Sequence, residues 1–344
     1  MNNAKAGRPR DVPPSPVSTA DAGPPAISCR QFRRARWRLP VAPLIISIVC
    51  LLGAALLIYP SSAAWFSSVE QSREIDGLSE GIADLGAQTL RERLEVAREY
   101  NAALGGAGAA VAANERLPLA NDPTAGGDYD YSTLLRGDTE GLMARIKIPS
   151  IRVDLPIYHG TGTDVLEHGV GHLEGTSLPV GGVSTHSVLT GHRGLATSEL
   201  FTHLDLVEVD DTFTIEVFGD VLTYRVTDTR VVQPEDTESL LMQPGKDLVT
   251  LVTCTPLGVN SHRILVTGER MIPTPQEDLD AEGQSPDVPG FPWWAIVSGG
   301  VVLVLIGYVW VSGRPRARHR AVPNAPQEPS AGQPLTSGTR DVAE

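Results

Sequence analysis

One cysteine in this chain has the surroundings of a nucleophile. Cys254 ends the strand-like run Thr250-Leu-Val-Thr-Cys254, and Arg263 follows it by nine positions. The thiolate is the reactive form of cysteine, and a nearby guanidinium both favours the thiolate and can stabilise an oxyanion. A free cysteine also packs as a small hydrophobic residue, so the spacing alone leaves both interpretations open.

A cysteine nucleophile needs a proton-transfer partner, and the chain offers eight histidines. His192 follows a strand-like run and is flanked by glycines that permit close approach, at the kind of strand end where barrels build sites. His262 precedes Arg263, and on a strand only one of two adjacent side chains can face a shared site. His168 and His172 have the spacing of two helical ligands, but glycines interrupt them and no carboxylate or cysteine completes the set, so we expect no metal. The residues alone leave His192 and its rivals as alternatives.

The charge of the chain is unevenly distributed. The whole chain of 344 residues has a net charge of −13, but residues 61–292 carry 15 Lys and Arg against 36 Asp and Glu, a net charge of −21. Phosphate binding needs a cationic face, so nucleic acid is excluded as a partner of this segment. An acidic surface attracts cationic partners, or simply keeps the segment soluble. Cys29 lies in the N-terminal tail and Cys50 in an apolar run, so there is no disulfide framework.

Two apolar runs bracket the acidic segment. Val41–Ile58 has 18 uncharged residues and Trp293–Ser312 has 20, each long enough to cross a hydrocarbon core about 30 Å thick. Arginines precede the first run and follow the second, so we expect both termini in the cytoplasm and the acidic segment outside the cell. This topology places His319 in the cytoplasmic tail, which excludes it as a proton-transfer partner of Cys254. Cleavage at the small residues 62–64 would make the first run a signal peptide, but the long tail before it favours a retained anchor.

Between the apolar runs, the pattern changes from helical to strand-like. Residues 69–104 place apolar side chains at three- and four-residue steps, which indicates an amphipathic helix that glycines break into two. Gly105–Gly137 has no sustained period and is typical of a long loop. From Met143 to Met271, short runs rich in Val, Ile, Leu and Thr predict a mainly antiparallel barrel or sandwich, with a hairpin turn at 218–221. The strand candidates are Ala144–Ile148, Val153–Tyr158, Ser187–Thr190, Thr212–Phe218, Val221–Val232, Asp247–Cys254 and Arg263–Glu269.

Three segments together resemble the sortases. Thr250-Leu-Val-Thr-Cys254 is similar to their TLxTC signature, Leu-Thr-Gly-His192 to their histidine segment and Asn-Ser-His-Arg263 to their arginine segment, in the same order. Residues 173–182 and 191–195, the two apolar runs and the insert before the barrel resemble class C, the pilus-building branch. The resemblance covers residues 144–270 closely and 69–137 in outline.

The resemblance implies a fold and an organisation. The fold class is mainly β: a sortase-type closed β-barrel of about eight strands with N-terminal helices and a lid loop, flanked by two transmembrane helices. The segments we expect are a disordered cytoplasmic tail (1–40), a transmembrane helix (41–58), extracellular juxtamembrane helices (61–104), a lid loop (105–138), the catalytic barrel (139–272), a linker (273–292), a second transmembrane helix (293–312) and a cytoplasmic tail (313–344).

The resemblance also implies a role for each of three residues. Cys254 would attack the Thr–Gly carbonyl of an LPxTG-like sorting signal and form a thioester, His192 would act as general acid and base, and Arg263 would hold substrate and stabilise the oxyanion. A pilin lysine would then take the acyl group as an isopeptide bond. Pilin subunits bearing LPxTG signals are therefore the expected partners, with a peptidoglycan precursor or a housekeeping sortase as further ones. Neither a cofactor nor a metal is expected.

Class C sortases commonly carry a lid whose Asp-Pro-aromatic motif plugs the site. This sequence has Asp122-Pro123 followed by Thr124, so the role of the aspartate transfers to Asp122 and that of the ring does not. Tyr129 or Tyr131 would need a differently shaped loop to cover the thiol. A threonine shields less than a ring, so we expect a looser lid than in the family. The alternative is that Asp122 and Pro123 only form a turn.

Two other functions stay open. A wall-anchoring sortase would pass the acyl group to a peptidoglycan amine, and a catalytically silent scaffold would only bind sorting signals. The intact Cys254, His192 and Arg263 argue against the scaffold. An apolar span followed by arginines also ends the proteins that sortases process, but no LPxTG pentapeptide precedes residue 293 here. The chain is therefore predicted to be a processing enzyme rather than a processed substrate.

Overall fold

The computed structural model of the chain describes residues 37–107, 129–137, 141–286 and 290–314. The chain divides into two units, Val41–Val309 and a second one that combines the terminal segments Met1–Pro40 and Trp310–Glu344. In the described part of this second unit, the Trp37 indole donates a hydrogen bond to the Trp310 carbonyl at 3.1 Å. The barrel lies entirely within the larger unit.

The described part of the larger unit contains eight strands. They are β1 (Leu142–Ile148), β2 (Val153–His159), β3 (Val170–His172), β4 (Thr185–Thr190), β5 (Thr212–Val217), β6 (Asp220–Val232), β7 (Asp247–Thr255) and β8 (His262–Arg270). They close in the order β1-β2-β3-β4-β7-β8-β6-β5, which confirms the closed barrel. Six neighbouring pairs are antiparallel, while β2–β3 and β4–β7 are parallel.

One local feature of the sheet was predicted from the sequence, and another was missed. The predicted hairpin turn joins β5 to β6, and its central residues Phe218 and Gly219 both have positive φ, 46° and 87°. Positive φ at both positions gives the turn the twist of the strands it connects. Strand β3 was not predicted, because it has only three residues and a glycine at its centre.

The barrel interior is filled by alternate apolar side chains of the strands. Helix α2 (Ala87–Ala107) closes this core with a stripe that includes Leu94, Ala97, Tyr100 and Leu104, as its periodicity predicted. Strand residues that are fully buried in the same cluster include Ile146, Ile157, Val170, Leu189, Phe213, Ile215, Tyr224, Val249, Leu251 and Val266.

The remaining helices are α1 (Val41–Ala83), α3 (Thr163–His168), α4 (Gln276–Asp280) and α5 (Trp293–Ser312). Helix α1 is one unbroken element of 43 residues that continues through Pro60, so the first apolar run and the start of the predicted juxtamembrane helices are a single helix. The break before α2 falls at Asp84–Gly86, whereas the glycines at 77 and 81 stay inside α1. By length and composition, α1 and α5 are both able to cross a membrane.

The second half of α1 is docked on the barrel. Leu78 packs against Leu142 and Tyr158, and the Tyr158 hydroxyl donates to Glu74 at 2.5 Å. The buried Gln71 amide donates to the His168 carbonyl at 2.7 Å and to the Ser198 hydroxyl at 3.3 Å. The helix that begins in the apolar run is thus fixed to the β-barrel by apolar and polar contacts.

Candidate active site

Cys254 and Arg263 lie opposite each other on neighbouring strands. In the antiparallel β7–β8 ladder, the register pairs Cys254 with Arg263 and Thr255 with His262. Directly opposed residues on one face have Cβ atoms within about 5.5 Å of each other. The nine-residue spacing in the sequence is therefore the length of a hairpin that folds the arginine back onto the cysteine.

His192 enters the same neighbourhood from strand β4. The parallel β4–β7 ladder pairs Thr190 with Val252, and the register continues beyond the last strand residue. The amide of Gly191 donates to the Val252 carbonyl at 3.0 Å, and the Thr253 hydroxyl donates to the Gly191 carbonyl at 2.7 Å. If this register continues by one further step along both chains, it places His192 beside Cys254.

The three residues share the outer face of the barrel. Side chains alternate between the two faces of a strand, and Leu189 and Leu251 belong to the interior core. The opposite face carries a separate apolar cluster of Val188, Val252 and Leu265. Cys254 and Arg263 follow the alternation of this outer cluster, as does His192 when the register of β4 is continued. All three side chains are half-buried, so the thiol is within reach of a substrate.

The Arg263 guanidinium is held at the mouth of the β7–β8 loop. Its Nη1 donates to the carbonyls of Asn260 and His262, each at 3.0 Å. A guanidinium has five N–H donors, so these two bonds orient the group and leave it donors for a substrate. The His262 ring contacts Ser261 Oγ at 2.9 Å and Gln233 Nε2 at 3.0 Å, on the position paired with Thr255 rather than with Cys254.

Comparisons with known proteins identify the family of this chain. A model of the "Sortase domain" family matches residues 146–271. The chain is 30% identical over 138 residues to "Sortase D" of Bacillus subtilis (strain 168), which covers 39% of this chain and 65% of that protein, just under two thirds of its length. It is 39% identical to the crystal structure of sortase C1 from Streptococcus agalactiae (TM-score 0.53) and 38% identical to that of sortase C-1 from Streptococcus pneumoniae (TM-score 0.51). Each of these two likenesses covers 59% of this chain and 100% of the solved chain.

The chain belongs to the sortase family. The similar crystal structures are sortases C1, which confirms the class C resemblance predicted from the sequence. The covered 59% exceeds the segment matched by the family model, so the likeness of this sortase to them extends beyond the barrel strands.

The two histidines that have helical ligand spacing lie in different elements. His168 ends α3 and is exposed, and its Nδ1 contacts the Asp164 carbonyl at 2.7 Å. His172 lies in β3 and is completely buried. Its Nε2 donates to the Ser177 carbonyl at 2.9 Å, and its Nδ1 accepts from the Tyr131 hydroxyl at 2.8 Å. Among the described residues, no cluster of three or more metal-ligating side chains is present.

Tyr131 is part of the barrel wall rather than a cover for the thiol. Its ring stacks on His172, its hydroxyl accepts from the Gly160 amide at 3.1 Å, and an edge contact joins it to His159. His172 pairs with interior-facing Leu189, whereas Cys254 follows the outer cluster. Tyr129 donates to Glu99 at 3.1 Å. Asp122, Pro123 and Thr124 lie outside the described residues.

The sequence analysis missed a set of polar residues next to the site. Thr253 and Thr255 flank the cysteine, and Arg193 follows the histidine, and all three make hydrogen bonds that link the two segments. The feature of the sequence that could have pointed to these three residues is that each is adjacent to a residue of the predicted site.

Burial lowers the pKa of His172, so we expect acid to destabilise this sortase. Desolvation lowers the pKa of His172 to about 4, with a smaller lowering contribution from His159, against the hydrogen bond to Ser177. Between pH 6.5 and 4 the unfolded chain therefore binds more protons than the folded one, so the free energy of unfolding falls as the pH is lowered, by about 3 kcal/mol in all. Thermal unfolding in detergent from pH 7.5 to 4.5 measures this loss.

Two variants separate this contribution from general acid unfolding. His172→Asn should be less stable than the wild type at pH 7 and should show a shallower loss on acidification. His168→Asn, a change at an exposed site four residues away, should keep the wild-type slope. An unchanged slope in His172→Asn would show that another group causes the acid sensitivity.

Proposed function

We propose that this sortase is a cysteine transpeptidase that cleaves an LPxTG-like sorting signal of a pilin at the Thr–Gly bond and joins the acyl group to a pilin lysine. The observation that carries the proposal is the pairing of Cys254 with Arg263 across β7 and β8, with His192 entering from β4 in continued register. A thiol, an imidazole and a guanidinium on one half-buried surface are the groups that an acyl transfer through a thioester requires.

In the first half-reaction, the Cys254 thiolate attacks the threonine carbonyl carbon and forms a tetrahedral intermediate. Arg263 donates to the oxyanion, where its charge acts more strongly in the transition state than in the ground state. The C–N bond then breaks, His192 gives a proton to the departing glycine amine, and a thioester to Cys254 remains.

In the second half-reaction, the neutral lysine amine attacks the thioester carbonyl, and the His192 imidazole takes the proton that the nitrogen loses as the new C–N bond forms. Collapse of this intermediate forms the amide bond and releases the Cys254 thiolate. Water would give hydrolysis by the same route, so the site must favour a bound amine over solvent. The net charge of −21 on residues 61–292 supports attraction of a lysine-bearing partner.

We infer that both termini are cytoplasmic and that the barrel lies outside the cell. Two apolar helices support this topology, together with the arginines that precede residue 41 and follow residue 312. The site would then stand on the side of the membrane where surface proteins are assembled.

The role of Asp122 stays a proposal carried over from class C. We expect it to pair with Arg263 and to hold a lid over Cys254. A deletion limited to residues 108–128 leaves the packed Tyr131 in place. It should speed alkylation of Cys254, but by a factor below about ten, because a loosely held segment opens at little free-energy cost. Alkylation as slow as in the wild type would argue against any lid.

Replacing the nucleophile should abolish catalysis and leave the fold intact. Cys254→Ala should form no acyl-enzyme and no product, with little change in melting temperature because the lost volume is small. Cys50→Ala is the matched control, since this exposed cysteine lies in α1. The assay incubates two pilins, one with a sorting signal and one with the acceptor lysine, and detects the thioester and the linked product by mass spectrometry.

The products of this assay also distinguish the rival functions. Lysine-linked oligomers support pilin polymerisation. Transfer only to a peptidoglycan amine would point to wall anchoring, and binding without any adduct at Cys254 would point to a scaffold.

The shape of the Arg263 side chain should matter as well as its charge. Arg263→Lys keeps the positive charge but loses the planar fork that Nη1 and its neighbours form, so kcat/KM should fall by roughly ten- to a hundredfold. The measurement is steady-state transfer of a sorting-signal peptide. Activity of Arg263→Lys close to wild type would show that the geometry of the guanidinium is not required.

A further inference from the structure

The residues on both sides of Cys254 are hydrogen-bonded to the residues on both sides of His192. On the N-terminal side of Cys254 and His192, the Thr253 hydroxyl donates to the Gly191 carbonyl at 2.7 Å. On the C-terminal side of the same two residues, Arg193 Nη1 donates to the Thr255 hydroxyl at 2.8 Å. The two hydrogen bonds, which we call the flanking bonds, enclose the cysteine and the histidine between them.

The flanking bonds lie on the opposite face of the sheet from the thiol. Alternation along β7 puts Thr253 and Thr255 on the side of the interior residue Leu251, while Cys254 follows the outer cluster. Thr253 is completely buried, and the Arg193 side chain is only 10% exposed. These side chains therefore support the site from behind and are not placed to contact a substrate.

Arg193 is itself anchored in three directions. Besides Thr255, its Nε donates to the Thr202 carbonyl at 3.1 Å, and its Nη2 forms an ion pair with Asp205 at 2.6 Å. The Thr202 hydroxyl accepts from the Gly194 amide at 3.1 Å. One guanidinium thus joins the segment after His192, the turn that carries Asp205, and the end of the strand that carries the cysteine.

The strand ladder alone does not fix this end of the site. Strand β4 ends at Thr190, and past the hydrogen bond from Gly191 to Val252 the backbone turns to another partner, since the His192 carbonyl accepts from the Phe201 amide at 3.0 Å. Hydrogen bonds to a charged donor in a largely buried setting are stronger than neutral ones. The bond from Arg193 to Thr255 acts beyond the ladder, where the backbone pairing has stopped.

We propose that Thr255 and Arg193 are positioning residues, which keep the His192 imidazole aligned with the Cys254 thiol from the far side of the sheet. The proposal rests on the catalytic pair of the proposed function. Misplacement of a catalytic group by about 1 Å is enough to cost on the order of a hundredfold in rate. Loss of the flanking bond should therefore reduce kcat while the substrate-binding surface, and hence KM, is unchanged.

The test compares Thr255→Val, which removes the hydroxyl, with Thr255→Ser, which keeps it. In full-length enzyme in detergent, Thr255→Val should lower kcat for transfer of a sorting-signal peptide by roughly tenfold or more, with KM within about twofold of wild type. Thr255→Ser should restore most of the rate. Thr227→Val removes a hydroxyl from an exposed position on β6 and should behave as wild type.

A second measurement decides the proposal without any sorting signal. The pH dependence of Cys254 alkylation by iodoacetamide reports how the thiol is coupled to His192, and His192→Ala defines the uncoupled profile. Thr255→Val should move from the wild-type profile toward that of His192→Ala, and Thr255→Ser should overlay the wild type. Failure of the wild type to process peptides would contradict the proposed function but leaves this comparison intact.

Each possible result either supports or contradicts the proposed role of the flanking bond. If Thr255→Val alkylates with the wild-type pH profile, the flanking bond does not position His192 and the proposal is wrong. If Thr255→Val unfolds, Asp205→Asn replaces it, because Asp205 is 43% exposed and its side chain forms an ion pair with Arg193 among the residues that the structure describes. A wild-type profile in that variant would overturn the role of Arg193, and a shift toward His192→Ala would support it.

Discussion

The parallel pairing of β4 with β7 is the constraint on which the site depends. The two strands are separated by more than fifty residues, yet they run in the same direction as neighbours, so their carboxyl ends meet at one edge of the barrel. His192 follows the end of β4, and Cys254 lies near the end of β7. Strand β8 then returns antiparallel from that same edge, which brings Arg263 opposite the cysteine. An antiparallel β4 would place its carboxyl end, and the histidine, at the far side of the barrel.

The barrel wall separates two kinds of polar group. On the outer face, the three residues of the proposed site lie next to a small apolar cluster and stay within reach of solvent. Toward the interior, His172 is fully buried and is satisfied by Ser177 and Tyr131, because a buried polar group without partners would be costly. The flanking bonds of Thr253 and Arg193 belong to this second kind. The polar side chains behind the site are thus bonded to one another and to the backbone that carries Cys254 and His192.

The sequence predicts local features of this fold well and non-local ones poorly. Alternating Val, Ile and Thr located seven of the strands, and the hairpin turn at 218–221 was predicted as well, although the positive φ at Phe218 does not follow from its residue type. Strand β3 was not predicted, because three residues around Gly171 are too few to show an alternation of apolar and polar side chains. The parallel pairing of β2 with β3 and of β4 with β7 was not predicted either, since the partner of a strand in a parallel pair depends on packing between segments that are far apart in sequence. The meeting of Cys254, His192 and Arg263 was therefore expected from the family resemblance, whereas the role of Arg193 required knowing which strand lies beside which.

The helix α1 joins the first apolar run to the barrel without a break, which the apolar run alone did not indicate. Gln71 lies thirteen positions after Ile58, which ends that run, and a continuous helix spans this distance with a rise of about 20 Å. Gln71 is bonded to Ser198, in the segment that leads on from His192 and Arg193. Because no flexible linker intervenes in α1, the proposed topology sets the histidine segment at a fixed height above the bilayer. Under the proposed function, a sorting signal would have to reach Cys254 at that height, so the length of α1 between the apolar run and the barrel would limit which Thr–Gly bonds are accessible.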